Sequence, residues 1–202
     1  MPTHEKLRPS DASLFRSSLL LDRKCSVLLI VDVQEKLFPL SQRQATIQWN
    51  LQRLITAAGL LGVEVFASEQ YPAGLGNTIE PLKSQLGPIA EKRMFSCREC
   101  VSLLSGWLEA GIRQVIVAGI EAHVCVLQTA LDLQGVGFDV FVPADAVGSR
   151  TELDRDVALQ RLAQSGVTIT TSESVLFEWC ETSAAPEFKQ ISQLVRRTTP
   201  VD

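Results

Sequence analysis

The sequence predicts a three-layer α/β/α fold, doubly wound around a mostly parallel sheet of six strands. Five short runs (Ser26 to Val33, Val63 to Ala67, Gln114 to Ile120, Phe138 to Val142 and Val167 to Thr171) are nearly continuous in Val, Ile, Leu or Phe, as strands buried on both faces require. Between them, apolar residues recur at the three-to-four spacing of a helix with one buried face. Strand and helix alternate over most of the 202 residues, and such a chain closes through right-handed crossovers that leave the strands parallel.

Each element has its own warrant. Ile47, Leu51, Leu54, Ile55, Ala58 and Leu61 form the stripe of a first helix, which Gly62 ends. Ile89 to Lys92 is a weaker sixth strand. Val101, Leu104, Trp107 and Leu108 form a second stripe, closed by Gly111. A helix is expected from about Val124, with Leu127, Ala130, Leu131 and Gln134 on its stripe and Gly135 at its end. Ser149 and Glu152 have the spacing of a capping box and would start a helix running to about Ser165. Residues 172 to 196 hold one or two closing helices, interrupted near Pro186. Residues 1–20 are expected to be a surface arm, 21–196 one domain and 197–202 a tail, with no internal repeat.

Composition excludes several classes of function. Lys plus Arg is 19 and Asp plus Glu is 23, a net charge of −4 with no basic block, which argues against a nucleic-acid partner. The longest apolar run, Val27 to Val31, is far short of the roughly 20 residues a membrane helix needs, so no membrane partner is expected. The N-terminal stretch lacks a secretory apolar core, and Glu5 and Asp11 disfavour a mitochondrial presequence. Five cysteines in such a chain point to a reducing compartment, and the expected location is cytoplasmic.

In this architecture ligands bind beyond the carboxyl ends of the strands, near the point where the strand order reverses. Asp32 closes the first run, in LLIVDVQEKLF. It could hold a metal, receive a phosphoryl group, act as a base, or make only local loop hydrogen bonds. Gln34 stands where a paired-aspartate phosphatase needs its second acid. Cys125 follows the fourth run, in VIVAGIEAHVCVLQTALDL, at the expected start of a helix. A helix N-terminus favours a thiolate and offers N–H groups to an oxyanion, although a cysteine there can simply pack. A thiolate needs a proton acceptor, and the two histidines give no ordinary Cys-His pair: His4 lies in the arm and His123 two residues before the thiol. Asp32 could serve as base, with a cation beside both groups. Lys92, in PIAEKRMFS, is a candidate cation or else a solvated surface lysine.

LLIVDVQEKLF, EKRMFS, VAGIEAHVCVLQTALDL and PADAVGSR together resemble the isochorismatase-like cysteine hydrolases, a Rossmann-like family, over about residues 24–195. SEQYPAGLGNT resembles the isochorismatase-domain-containing subgroup, whose substrates are mostly unassigned. The resemblance implies that Asp32 is the general base, Lys92 the charge-stabilising residue and Cys125 the nucleophile. It implies a cis Ile120-Glu121 peptide that aims the N–H groups of Glu121 and Cys125 at one oxyanion. The implied reaction is hydrolysis of a small amide, ester or related C–N or C–O bond through a covalent cysteine adduct, and the implied state is a homo-oligomer (dimer, tetramer or larger). The nicotinamidase branch builds a metal site from Asp and His after the second strand; ASEQYPAGLGNT contains neither, so no metal and no other cofactor is expected.

Phe38, Gln70, Tyr71, Leu75 and His123 fall on loops at the expected catalytic edge and are candidates to line the pocket of a small-molecule substrate, although His123 could equally pack at the helix start. Gly74 and Gly76 shape a tight loop, and no phosphate-binding glycine pattern is present. Trp107 and Trp179 read as packing or interface residues, and Asp145 and Arg150 as ties between a loop and a helix cap. Cys97 and Cys100 form a CxxC with no second pair, against a zinc site. Two other readings stay open: a non-catalytic binding or scaffold module, and a thiol redox protein working through Cys97 and Cys100.

Overall fold

The computed structural model describes residues 16–197 and Pro200. The expected arm up to residue 15, with His4, and the tail apart from Arg197 and Pro200 lie outside the described residues. The chain runs β1 (Ser26–Val31), α1 (Gln44–Leu61), β2 (Glu64–Gln70), α2 (Pro72–Leu75), α3 (Glu80–Lys83), β3 (Ile89–Lys92), α4 (Val101–Glu109), β4 (Gln114–Ile120), α5 (Leu127–Gly135), β5 (Asp139–Pro143), β6 (Val147–Gly148), α6 (Glu152–Gln164), β7 (Thr168–Thr170), α7 (Ser172–Cys180) and α8 (Phe188–Val195).

All strand pairs are parallel, in the order β3-β2-β1-β4-β5-β7. The two-residue β6 also pairs with β4, which makes the sheet seven-stranded rather than six-stranded. Alternate residues of the central strands feed two cores. Leu28, Ile30, Ile116 and Ala118 pack with α1, α7 and α8, where Trp179 is buried. Val27, Leu29, Val115 and Val117 pack with Trp107 of α4 and with α5 and α6. Helices therefore cover both faces, as continuous apolar strands demand.

The chain winds from β1 outward to β2 and β3, then returns to β4 on the other side of β1. The crevice of this fold lies at such a reversal, beyond the ends of β1 and β4. Two backbone features bring those ends together. Gly119 has φ +119°, and a Cβ there would strike the Val31 carbonyl oxygen and stand 2.8 Å from the Val31 nitrogen. Asp32, just past β1, adopts φ +51°, an uncommon conformation that Asp tolerates better than bulky residues.

Three local expectations need correction. The helix expected from Ser149 begins two residues later: Thr151 is the N-cap, its hydroxyl accepting from Asp154 N–H, and Ser149 instead bonds His123. After α5 the left-handed position falls on Gly137 rather than Gly135. On α4 only one side of the stripe is covered: Trp107 is buried, while Val101 and Leu108 are exposed.

Candidate active site

Three strand ends supply the charged groups. Asp32 follows β1, Ser68 and Gln70 close β2, and Lys92 closes β3. The parallel register sets Ser68 beside Val31 and Gln70 beside Lys92. Gln34 staples the loops, its amide donating to Gln70 O and Gly76 O while its oxygen accepts from Gln70 N–H.

Asp32 and Lys92 form an ion pair of 2.6 Å, with both side chains fully buried. A buried pair tolerates desolvation only when its other lone pairs and protons are satisfied. Here they are. Lys92 Nζ also donates to Gln70 Oε1 (2.9 Å) and the carbonyls of Phe95 (2.9 Å) and Met94 (3.3 Å). Ser68 Oγ donates to Asp32 Oδ1 at 2.7 Å, and the Cys97 thiol donates to Ser68 at 3.4 Å. Burial opposes the Lys92 ammonium, but Asp32 and the nearby Cys125 and Cys97 outweigh it and hold its pKa above the ordinary lysine value.

Past β4 the Ile120-Glu121 peptide is cis. A π-helical turn, Ala122–Val126, carries Cys125 into α5. Such turns widen a helix by one residue and recur at functional sites. Val124 and Val126 both donate their N–H to Glu121 O. The Glu121 side chain turns to Arg150, at 2.9 Å.

The Cys125 thiol lies close enough to the Asp32 carboxylate and the Lys92 ammonium for both charges to act on it. Burial pushes its pKa up, and so does the negative charge of Asp32; Lys92 opposes both without overcoming them. Both causes favour a thiol beside the carboxylate over the thiolate that the helix start and the lysine favour. Cys125 is 6% exposed, which makes desolvation the leading cause.

The other sequence candidates scatter. Gln70 is engaged at both ends, with Lys92 and with Arg93 O. Phe38 is packed into the core. Tyr71 is half-exposed, with the Arg93 guanidinium 3.9 Å over its ring. Leu75 is half-buried at the end of α2, and His123 Nδ1 meets Ser149 Oγ at 3.0 Å. A cavity of about 410 Å³ is lined by Met94, Phe95 and Ser96 from the loop after β3 and by Gln128 and Leu131 from α5; none of Asp32, Lys92 and Cys125 lines it, and its link to them is through the Met94 and Phe95 carbonyls that accept from Lys92. None of the five expected pocket residues lines it. Asp145 caps α7 through Ser172 N–H and Oγ.

Ser68 and Cys97 carry no signal for this site in the sequence: the apolar run that predicts the second strand ends at Ala67, one residue short of the serine, and Cys97 stands out only as half of a CxxC. Burial pushes the pKa of Cys97 up, and that of Cys100 up to about 11, opposite to the depression a reactive CxxC requires. Among the described residues, no group of three His, Cys, Asp or Glu is placed to hold a metal ion.

The isochorismatase domain model matches residues 26–174. The chain belongs to the isochorismatase family. Isochorismatase domain-containing protein 2 of Danio rerio is 39% identical over 181 residues, covering 89% of this chain and 91% of that protein. Isochorismatase domain-containing protein 1 of the same fish is also 39% identical, over 87% of this chain, which spans 62% of the relative's length. Among solved structures, the one titled as a MAR1 ribonuclease from Caenorhabditis elegans superposes with a TM-score of 0.84 at 37% identity, covering 90% of this chain and 95% of its own. YcaC of Escherichia coli, described as an octameric hydrolase of unknown specificity, gives 0.81 at 25% identity, over 89% and 91%. The family's three-layer fold is the one observed here, and no described helix is long and apolar enough to cross a membrane.

Proposed function

We propose that this isochorismatase-family chain is a cysteine hydrolase that cleaves a small amide, ester or related C–N or C–O bond. One observation carries the reading: a thiol at the start of a helix, close enough to Asp32 and Lys92 for both charges to act on it, with those two locked together in a fully buried ion pair. Asp32 takes the Cys125 proton as sulfur attacks the carbonyl carbon. The S–C bond forms, and the carbonyl electrons move onto oxygen beside the N–H groups of Glu121 and Cys125. The C–N or C–O bond then breaks, and Asp32 returns the proton to the leaving group. Water attacks the thioester with Asp32 again accepting the proton, the acid leaves, and the thiol is restored. Lys92 faces negative charge whether it resides on Asp32 or on sulfur, so its ammonium stabilises both ends of the transfer.

The substrate enters from the 410 Å³ cavity, whose loop carbonyls at Met94 and Phe95 also hold Lys92. The reaction needs no metal, and a chelator leaves turnover unchanged. The free state of all five cysteines supports a cytoplasmic location. A homo-oligomer is proposed on the octameric E. coli relative and on the exposed Phe95, Val101 and Leu108. The ribonuclease title of the nematode relative finds no support at this site, where a buried trio in a chain of net charge −4 offers no basic track for an RNA backbone.

The test is a screen of small amides, esters and vinyl ethers with intact protein and the Cys125→Ala variant. Turnover that disappears with the thiol, and an acyl adduct mapped to Cys125 by mass spectrometry, support the reading. Full turnover by Cys125→Ala on a verified substrate overturns it.

A further inference from the structure

On the outer flank of α1, remote in sequence and structure from Cys125, Arg53 is 5% exposed and has no carboxylate within ion-pair distance among the described residues. A guanidinium stays charged at every accessible pH, and proteins rarely bury one unpaired. Its Nη2 donates to Asn50 Oδ1 at 2.6 Å, its plane lies 3.7 Å over the Trp49 ring, and its Nε is buried without a hydrogen-bond partner. Burial disfavours its charge, and the more distant Asp145 and Glu173 offset that only in part.

Arg53 lines two cavities of opposite character. Asp145 and Glu173 line one, beside α7. The other, about 200 Å³, lies between α1 and the end of α8 and is lined by Arg53, Arg197, Gln52, Thr56, Gln85 and Trp49 among others, with no acidic residue among the described residues. Two guanidiniums, a hydroxyl and amides around a space of that size are complementary to a tetrahedral oxyanion, which accepts several charge-assisted hydrogen bonds at once. We propose that this cavity binds a phosphate group, free or at the end of a small monoester, with Arg53 as its buried anchor and Arg197 as its outer clamp. The site is independent of the hydrolase reading, because it shares no lining residue with the 410 Å³ cavity and none of Asp32, Lys92 and Cys125 lines it.

The experiment is a titration of the full chain with inorganic phosphate at constant ionic strength, followed by calorimetry and thermal unfolding. Glycerol phosphate and chloride run in parallel, alongside the variants Arg197→Ala and Arg53→Lys. Saturable binding is expected, with a Tm rise of about 5–10 °C at a hundredfold excess over Kd. Arg197→Ala, at an exposed position, keeps the fold and weakens binding at least tenfold, and Arg53→Lys weakens it while retaining the charge. Binding by glycerol phosphate identifies a monoester site, and binding by phosphate alone a free-ion site. Chloride matching phosphate, no saturation, or equal binding by both variants overturns the proposal.

Discussion

Replacing Asp32 with Asn should make Cys125 more acidic while removing the proton acceptor proposed for it, and these consequences run in opposite directions experimentally. In the native site the charge of the nearby Asp32 carboxylate opposes ionisation of sulfur. For unit charges about 4 Å apart at an effective dielectric near 20, that repulsion is about 4 kcal/mol, or about three pH units of thiol pKa. Relaxation and water entry reduce it, so a fall of one to three units is expected. Lys92, left without its carboxylate, then pairs with the thiolate, which deepens the fall. The assay is iodoacetamide labelling across pH, with the Cys125 peptide quantified by mass spectrometry and Cys180, whose surroundings exclude Asp32, as internal reference. At neutral pH the Asp32→Asn protein labels faster at Cys125, yet turns over substrate about 10²–10⁴-fold more slowly for want of a general base. Lys92→Met moves the labelling midpoint the other way, since the ammonium is the group that lowers the thiol pKa. A midpoint that is unchanged or raised in Asp32→Asn refutes the electrostatic account of the site.

Other perturbations probe the frame around that trio. Lys92→Met strands a buried carboxylate and should cost about 3–5 kcal/mol, seen as a Tm lower by about 6–20 °C. Because the folded pKa of Lys92 is raised, its stabilisation is complete below the unfolded lysine value near 10.4 and disappears as pH climbs through the folded value. Urea melts of native and Lys92→Met proteins should therefore converge only in strong alkali. Gly119→Ala drives a Cβ into the Val31 backbone at a positive φ and should cost about 3 kcal/mol or more, measured as a loss of folded yield and Tm. Thr151→Ala removes the hydroxyl that caps α6, at a cost of about 1 kcal/mol and a Tm drop of a few degrees, without altering Cys125 labelling.

How much of this was legible in the sequence depended on whether the cause was local. Val27 to Val31 and Val115 to Ile120 read as buried strands because every residue of each is apolar or small, and a parallel sheet covered on both faces is the arrangement that consumes such runs. Asp32 and Lys92 could be placed at strand ends, but nothing in their spacing says that sixty positions of separation collapse to 2.6 Å. That contact follows from β1, β2 and β3 lying side by side in register, a property of topology. β6 escaped because a two-residue strand has no period to detect. Ser149 misled because its side chain serves His123 across the fold, leaving Thr151 to cap the helix.

The ionisation of Cys125 shows the same division most sharply. Position at a helix start and a nearby lysine both argue for a thiolate, and each is a one-dimensional inference from neighbours along the chain. Burial and the Asp32 carboxylate are three-dimensional, and they set the sign. The consequence reaches the proposed chemistry: a thiol at rest calls for a base at the step of attack, and proton transfer coupled to S–C bond formation is the expected outcome. A solvent deuterium isotope effect on single-turnover acylation tests that coupling, with a normal effect expected and an inverse one, the mark of a preformed thiolate, against it.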